Sequence, residues 1–274
     1  MAFQKLSLVK LAFLAAASLM MASAPSQAEI VDNETWQGIR KDAFPGRTEF
    51  LDGTGIMTMD APVRAEDASL VPITVHMPAD FAPKVKSLTL VVDKNPAPVA
   101  GKFTYGEAAG KAERMLAVRI RVDQYSDIRA IAETSDGKLY MISKYVKASG
   151  GCSAPASSDA EEAAKTMGKM LIKTALNKSS NGSTQEGQLM IKHPNNSGLQ
   201  MDQLTGLYAK AHYVDKIEVT NNGKLVFAVE TGISISENPN LRFTYEGKAS
   251  DLLEVKAEDS EGKLYAGKSA TSAS

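Results

Sequence analysis

The sequence predicts an all-β protein made of two immunoglobulin-like antiparallel β-sandwich domains. Short runs of alternating apolar and polar residues recur along the chain, turn residues separate them, and landmarks near 95–140 reappear near 238–265. A period of two residues is typical of half-buried strands, and many short strands at this spacing indicate a sandwich. With one cysteine in 274 residues, the fold must rely on its packed core because no internal disulfide can form.

Each half of the chain contains its own strands and turns. In the first half, four runs have strand character: 70–75, 87–92, 116–122 and 128–132. Asp136-Gly137 favours a hairpin turn, because such turns need residues that adopt φ > 0. In the second half, 216–219 and 225–229 flank Asn222-Gly223, which predicts strand, turn and strand.

The landmarks suggest two diverged copies of one fold. Their order is an Asn-Pro pair, a Phe-Thr-Tyr triplet and a Gly-Lys-Leu-Tyr stretch; they start at Asn95, Phe103 and Gly137, and again at Asn238, Phe243 and Gly262. Repetition in the same order is typical of an internal duplication. The first copy holds an additional stretch at 112–127 between its second and third landmarks.

One segment between the halves breaks the β pattern. Ser158 precedes Glu161 by three positions, as in a capping box, and apolar or small residues then recur at helical spacing, which predicts an amphipathic helix at about 159–177. The polar stretch 177–188, with Gly182 and Gly187, has the composition of a linker. The predicted order is a signal peptide (1–28), a sandwich (29–149), a connecting segment (150–187) and a second sandwich (188–274).

The N-terminus has the pattern of a secretory signal. Lys5 and Lys10 precede and flank an apolar run at 11–22 that is short for a membrane span, and Ser26-Gln27-Ala28 fits a cleavage site. An earlier site after Ala24 and an uncleaved membrane anchor are the alternatives. We expect cleavage after Ala28 and a mature periplasmic protein with no membrane segment.

Charge excludes one class of partner. Removal of residues 1–28 takes away two lysines and no acid, which leaves 29 basic and 32 acidic residues and a formal charge of −3. Nucleic-acid binding needs a basic surplus, so the composition argues against it.

The lone thiol, Cys152, is the leading candidate for chemistry. An exported protein normally pairs its cysteines, and a single one cannot pair within the chain. Gly150 and Gly151 before it and Ser153 after it carry small side chains or none, which predicts a thin, flexible arm that enters a partner's active site. The alternative is a small buried hydrophobic residue, since free cysteines are often buried.

No other residues form a catalytic or metal-binding pattern. His76, His193 and His212 are scattered in the sequence, without the spacing of a metal site, and none lies beside Cys152. We therefore predict no enzyme of the Cys–His type, no metal and no cofactor. Trp36 is expected to cover an edge of the first domain.

Several stretches resemble the sulfur-oxidation carrier proteins SoxY and SoxZ. The stretches that resemble SoxY are 71–75, 92–98, 119–121, 133–140 and 146–152; those that resemble SoxZ are 193–194, 198–199, 217–219, 222–223, 236–243 and 258–262. The chain is similar in particular to fused SoxYZ-like carriers associated with quinoprotein dehydrogenases. It differs from SoxY by having Ser153-Ala154 after the cysteine and by continuing into a second domain.

The resemblance implies a function for the arm. It implies that Cys152 binds a sulfur species covalently, in thiosulfate or related sulfur oxidation, and that Gly150, Gly151 and Ser153 form the carrier arm. It also implies that the second domain docks on the first, and that periplasmic sulfur-processing or redox enzymes, including a quinoprotein dehydrogenase and a c-type cytochrome, act as partners. Two other hypotheses stay open: an adaptor in which the thiol is dispensable, and a thiol peroxidase or exchange enzyme.

Overall fold

A computed structural model describes residues 32–155, 160–176, 184–202, 205–248 and 250–270. The predicted signal peptide lies outside these ranges. The described residues form two β-sheets packed face to face and only short helices, which confirms the predicted all-β class. None of their helices combines the length and the apolar character needed to cross a bilayer.

The first half contains helix α1 and eight strands. Helix α1 spans Glu34–Ala43. The strands are β1 (Leu51–Asp52), β2 (Thr58–Asp60), β3 (Val71–Met77), β4 (Val85–Val92), β5 (Val99–Tyr105), β6 (Arg114–Ile120), β7 (Ser126–Thr134) and β8 (Leu139–Val146). Short 3-10 helices at Ala82–Lys84 and Glu107–Ala109 precede β4 and β6.

The described residues of the second half form helix α2 and seven strands. Helix α2 spans Ala160–Thr166. The strands are β9 (Met170–Leu176), β10 (Thr184–Ile191), β11 (Val214–Asn221), β12 (Lys224–Thr231), β13 (Asn240–Glu246), β14 (Leu253–Asp259) and β15 (Leu264–Lys268). The predicted turns are confirmed: Gly137 at φ +83° joins β7 to β8, and Asn222 and Gly223, both with φ > 0, join β11 to β12.

The two halves share both sheets. The nine-stranded sheet has the order β1-β8-β7-β4-β5-β12-β11-β14-β15, and the six-stranded sheet has the order β2-β3-β6-β13-β10-β9. The halves therefore meet along two seams, where β5 pairs with β12 through Thr104 and Ala228, and β6 pairs with β13 through Ala117 and Arg242. One continuous apolar core, which includes Phe103 and Phe227 in edge-to-face contact, runs across the junction.

This topology corrects the alignment of the repeat. The order β8-β7-β4-β5 is mirrored by β15-β14-β11-β12, and β3-β6 is mirrored by β10-β13. The third landmark falls on equivalent hairpins, β7–β8 and β14–β15. The second does not, because Phe103 lies on β5 and Phe243 on β13, the counterpart of β6. The stretch 112–127 is thus no insertion, since it contains β6, which has a counterpart in the second half.

The long helix predicted at 159–177 is wrong, and so is the linker where it is described, at 184–188. Helix α2 ends at Thr166, and β9 and β10 pair with each other where the helix and the linker were expected. Gly168, at φ +81°, ends the helical segment against the ring of Tyr265. Gly187 lies within β10, where a Cβ would come within 2.6 Å of the Phe243 ring, so this glycine serves packing and not flexibility. Residues 177–183 lie outside the described ranges.

Helix α1 covers the outer face of the first half. Asn33 caps it by accepting a hydrogen bond from the Trp36 N–H, and Trp36 packs with Val91, Ile131 and Met141. Trp36 therefore covers a sheet face, where an edge was expected. Beneath it, the Arg129 guanidinium lies 4.6 Å from the indole and forms a bidentate ion pair with Asp93, at 2.8 and 2.7 Å.

Candidate functional site

Cys152 lies in a turn after β8 and is fully buried, with 0 % of its surface exposed. The flexible arm predicted at Gly150, Gly151 and Ser153 stays a prediction. In this structure the thiol is buried, which is the environment that the alternative interpretation of Cys152 expects. The Gly150 N–H donates to the Asp123 carbonyl at 2.8 Å, and the Gly151 N–H donates to the Val122 carbonyl at 3.0 Å.

Gly151 is needed for close packing. A Cβ at this position would lie 2.1 Å from the Ala68 carbonyl oxygen and 2.7 Å from the Val122 carbonyl oxygen, a separation that real Cβ atoms do not adopt. Gly150 has φ +81°, which favours glycine, although the space around it is open. Ser153 is exposed and donates from Oγ to the Gly150 carbonyl at 3.3 Å. The glycines therefore let the segment lie against the sandwich.

The second half covers the thiol segment. Arg121, 1 % exposed, donates from Nη1 to the Gly151 carbonyl at 3.0 Å and from Nη2 to the Asn195 carbonyl at 3.3 Å. The Ser197 hydroxyl donates to the Cys152 carbonyl. One guanidinium and one hydroxyl thus connect the thiol segment to the loop after β10, and Cys152 lies at the junction of the two halves.

Sequence reasoning did not find Arg121, Asn195 or Ser197. The alternation in 116–122 predicts that Arg119 and Arg121 both lie on the solvent-facing side of the strand, and Arg119 is indeed exposed. Arg121 follows the last residue of β6, where the alternation of faces no longer applies, and it turns into the junction. Its contacts come from the second half of the chain, so no local pattern reports them.

The surroundings of Cys152 keep the thiol protonated. Burial and the nearby Asp123 carboxylate raise the pKa of Cys152 to about 11, and the Arg121 guanidinium opposes them only in part. The Asp123 side chain also accepts a hydrogen bond from the Cys152 N–H at 3.3 Å. Because the thiolate is the nucleophile, the closed arrangement is chemically quiet near neutral pH.

Two of the three histidines meet in space, contrary to their scatter in the sequence. His193 and His212 lie with Asp259 in the second half, and the possible ligand atoms of the three lie within 4.8 Å of one another. The His212 Nε2 is 2.9 Å from Asp259 Oδ2, and the His193 Nε2 is 3.7 Å from the same oxygen. His76 is elsewhere, on β3, 3.3 Å from Asp60.

The donor types of this cluster suit zinc, but its hydrogen bonds do not. The Asn195 N–H donates to His193 Nδ1 at 3.1 Å, which places the proton of the neutral ring on Nε2, the atom that would have to bind a metal. Asp259 Oδ2 already accepts from Tyr265 Oη at 2.7 Å and lies within hydrogen-bond distance of His212. We therefore interpret the cluster as hydrogen-bonded packing beneath the loop that covers Cys152.

The pKa values of both His193 and Asp259 are lowered, for different physical reasons. Burial and the neighbouring His212 lower the pKa of His193 to about 4, so its ring is neutral. Burial alone would raise the pKa of Asp259, but hydrogen bonds from Tyr265, His212 and two backbone N–H groups outweigh it and hold the pKa well below the usual range. A neutral His193 next to an ionised Asp259 is the stable state at neutral pH.

The fold and the site define a class: a two-domain β-sandwich protein with one free thiol where the domains meet. Two family profiles match the chain, one for each domain. The profile described as "Sulfur oxidation protein SoxY" matches residues 41–152, and the profile described as "Sulphur oxidation protein SoxZ" matches residues 172–270. The chain belongs to the SoxYZ family, as a fusion of a SoxY domain and a SoxZ domain in one polypeptide.

Solved structures give weaker likenesses. The sulfur carrier protein SoxY from Chlorobium limicola f thiosulfatophilum is 20 % identical, with a TM-score of 0.34 over 41 % of this chain and 94 % of that chain. A glycosyl hydrolase family 2 member from Bacteroides cellulosilyticus DSM 14838 is 10 % identical, with a TM-score of 0.22 over 78 % of this chain and 28 % of that chain. No curated protein sequence matches the chain.

Proposed function

We propose that this chain is a non-enzymatic periplasmic carrier that binds a sulfur species covalently on Cys152 and presents it to partner enzymes. One observation carries the proposal: the SoxY match ends at residue 152, the free cysteine, and that residue lies where the SoxY and SoxZ domains meet. Export by the segment 1–28 supplies the compartment.

Loading is an oxidative conjugation. The Cys152 thiol loses its proton, its Sγ forms an S–S bond with the terminal sulfur of thiosulfate or a related sulfur oxyanion, and two electrons leave. A partner with a haem of the c type or a quinone cofactor accepts those electrons, since the described residues hold no redox-active group apart from the thiol. Later enzymes process the sulfur while it stays attached to Sγ.

The buried thiol must be released before it can react. Release breaks the contacts of Gly151 and Cys152 with Arg121 and Ser197 and removes the burial that raises the thiol pKa. Because the chain continues from residue 155 into α2 and β9, the released segment is a loop anchored at both ends. Its partner therefore needs a cleft that accepts a loop.

Exposed apolar side chains on both halves are candidates for a docking surface. They lie on segments that precede or contact the thiol segment and on the loop beyond Ser197: Val63, Tyr125, Tyr145, Met201, Leu207 and Tyr208. The Lys147 N–H donates to the Val63 carbonyl, and Met201 and Tyr208 pair in a hairpin that begins just beyond Ser197. Exposed apolar clusters of this kind are typical of protein–protein contact sites.

The same surface favours a second candidate function. An adaptor that docks a quinoprotein dehydrogenase or its cytochrome would use these apolar side chains and would not need the thiol. The two functions separate in the variant Cys152→Ser, which keeps the docking surface and loses the nucleophile.

The test is the intact mass of the protein isolated from periplasm without reductant, measured again after reduction. A carrier should show a reducible addition of whole sulfur atoms or of a sulfonate-bearing group, absent from Cys152→Ser, and an N-terminus at Glu29. An unmodified thiol under all sulfur-oxidising growth conditions, shown by complete alkylation of the unfolded protein, together with full function of Cys152→Ser, would refute the carrier and support the adaptor.

A further inference from the structure

A polar cleft lies at the end of the β6–β13 seam opposite to Cys152. Strand β6 runs from Arg114 at this end to Ile120 beside the thiol segment, so the two ends are about 20 Å apart at about 3.3 Å per residue. The cleft has a volume of about 1150 Å³, and both halves line it, with Tyr105 and Arg114 from the first and Asn221 and Lys224 from the second.

Arg114 is a buried cation without a carboxylate partner among the described residues. It is 4 % exposed, and its guanidinium lies 4.0 Å from the centre of the Tyr105 ring. Its Nη1 and Nη2 donate to the Val85 and Gly110 carbonyls, each at 3.2 Å, while Nε has no hydrogen-bond partner among the described residues. Burial lowers the pKa of Arg114 accordingly.

Arg129 gives the internal comparison. That arginine is also buried, and it has a bidentate ion pair with Asp93. For Arg114, in contrast, no described carboxylate lies within 4.0 Å of the guanidinium. Because burial of an unpaired charge is unfavourable, binding of an anion near Arg114 would be stabilising, and the described part of the chain does not supply one.

One more hydrogen-bond donor at the cleft lacks a partner. Tyr105 Oη is buried and has no hydrogen-bond partner among the described residues, and its hydroxyl can donate to an anion. Asn221 Oδ1 is also without a described partner, but it can only accept a hydrogen bond. Four exposed lysines and three acidic residues complete the lining: Lys86, Lys111, Lys224, Lys248, Glu107, Glu246 and Asp251.

The acids do not neutralise this positive charge. Glu107 pairs with Lys224 at 2.7 Å, and the Asp251 carboxylate accepts hydrogen bonds from Asn221 Nδ2 and the Lys248 N–H. Lys86 and Lys111 have no ion pair among the described residues, which leaves the cleft positive within a chain of negative net charge.

We propose that this cleft binds a small oxyanion, either free or as the head group of an organic acid. The Arg114–Tyr105 pair forms its floor, and Lys86, Lys111 and Lys248 form its rim. Glu246, exposed at the edge of the cleft, competes with the ligand for these cations. The site is independent of Cys152, and its occupation does not require the carrier function.

The experiment is a titration of the full mature protein, followed by NMR and by calorimetry at constant ionic strength. Sulfate, phosphate, methanesulfonate and succinate are the probes. We expect saturable binding of at least one probe, with resonance shifts at Tyr105 and Asn221. Binding of sulfate or phosphate identifies a free oxyanion, whereas binding of methanesulfonate or succinate alone identifies the head group of an organic acid.

Matched variants separate a site from general attraction. Lys111→Glu/Lys248→Glu should weaken binding at least tenfold, and Glu246→Gln should strengthen it. Lys169→Glu/Lys173→Glu, with the same change in net charge on and beside β9, should leave it unchanged. Failure of every probe to saturate, or equal weakening in the two double variants, would overturn the proposal.

Discussion

Replacement of Ser197 by alanine should open the thiol segment and speed the alkylation of Cys152. The Ser197 hydroxyl donates to the Cys152 carbonyl across the junction of the two halves. A hydrogen bond of this kind contributes about 1 kcal/mol net, and about 1.4 kcal/mol corresponds to a tenfold change in an equilibrium, so the open population should rise about fivefold. Because the closed thiol is buried and protonated, the alkylation rate reports the open population.

The assay is alkylation by excess iodoacetamide at pH 7.5, followed by intact mass, for native and urea-unfolded protein. A pKa of about 11, against 9.0 for an ordinary thiol, lowers the thiolate fraction about a hundredfold, so native Cys152 should react at least that much more slowly than unfolded Cys152. Ser197→Ala should react about fivefold faster than the native parent chain.

Ser153→Ala is the matched control, since the Ser153 hydroxyl bonds only within the segment, to the Gly150 carbonyl. It should leave the rate nearly unchanged. Equal rates for native and unfolded protein, or equal effects of the two serine variants, would refute the reasoning that the second half holds the thiol closed.

Three further predictions follow from particular contacts. Gly151→Ala should release the segment and accelerate alkylation more than Gly150→Ala, because only at 151 does a Cβ meet carbonyl oxygens; the same alkylation assay measures both. Acidification should lower the free energy of unfolding as the pH falls from about 6.5 towards 4, because the unfolded chain protonates His193 before the folded chain does. Urea unfolding of the parent protein and of His193→Gln between pH 6.5 and 5 measures this effect, and the variant should lose less stability. Arg129→Met should lower the free energy of unfolding by about 3–5 kcal/mol, because Asp93 is then buried without its partner. The double variant Arg129→Met/Asp93→Leu should regain most of this stability, and a double variant as unstable as the single one, or less stable, would contradict this account.

Local patterns were reliable where a structure depends on neighbouring residues. The hairpin turns at Gly137 and at Asn222-Gly223 follow from backbone preferences for φ > 0, and they are present as predicted. The strand around 116–122 follows from its alternation and is present as β6.

The segment after Cys152 shows where such patterns fail. Its small and apolar residues fit a helix as well as a strand, and pairing with β10 decides for β9. Gly187 suggested a linker by composition, but it is in a strand because the ring of Phe243 leaves no room for a side chain. In both cases the deciding partner is distant in the sequence.

The sequence by itself determined the all-β class, the turns, the single thiol and the kinship with SoxY and SoxZ, because each depends on residue type or on residues close in the chain. Only the tertiary structure decided that the two halves share both sheets, that Arg121 and Ser197 close over Cys152, and that Arg114 is buried without a carboxylate from the described part of the chain. The first two features depend on contacts between residues 30 to 130 positions apart, and side-chain burial at such contacts changes charge and reactivity in ways that no local pattern encodes.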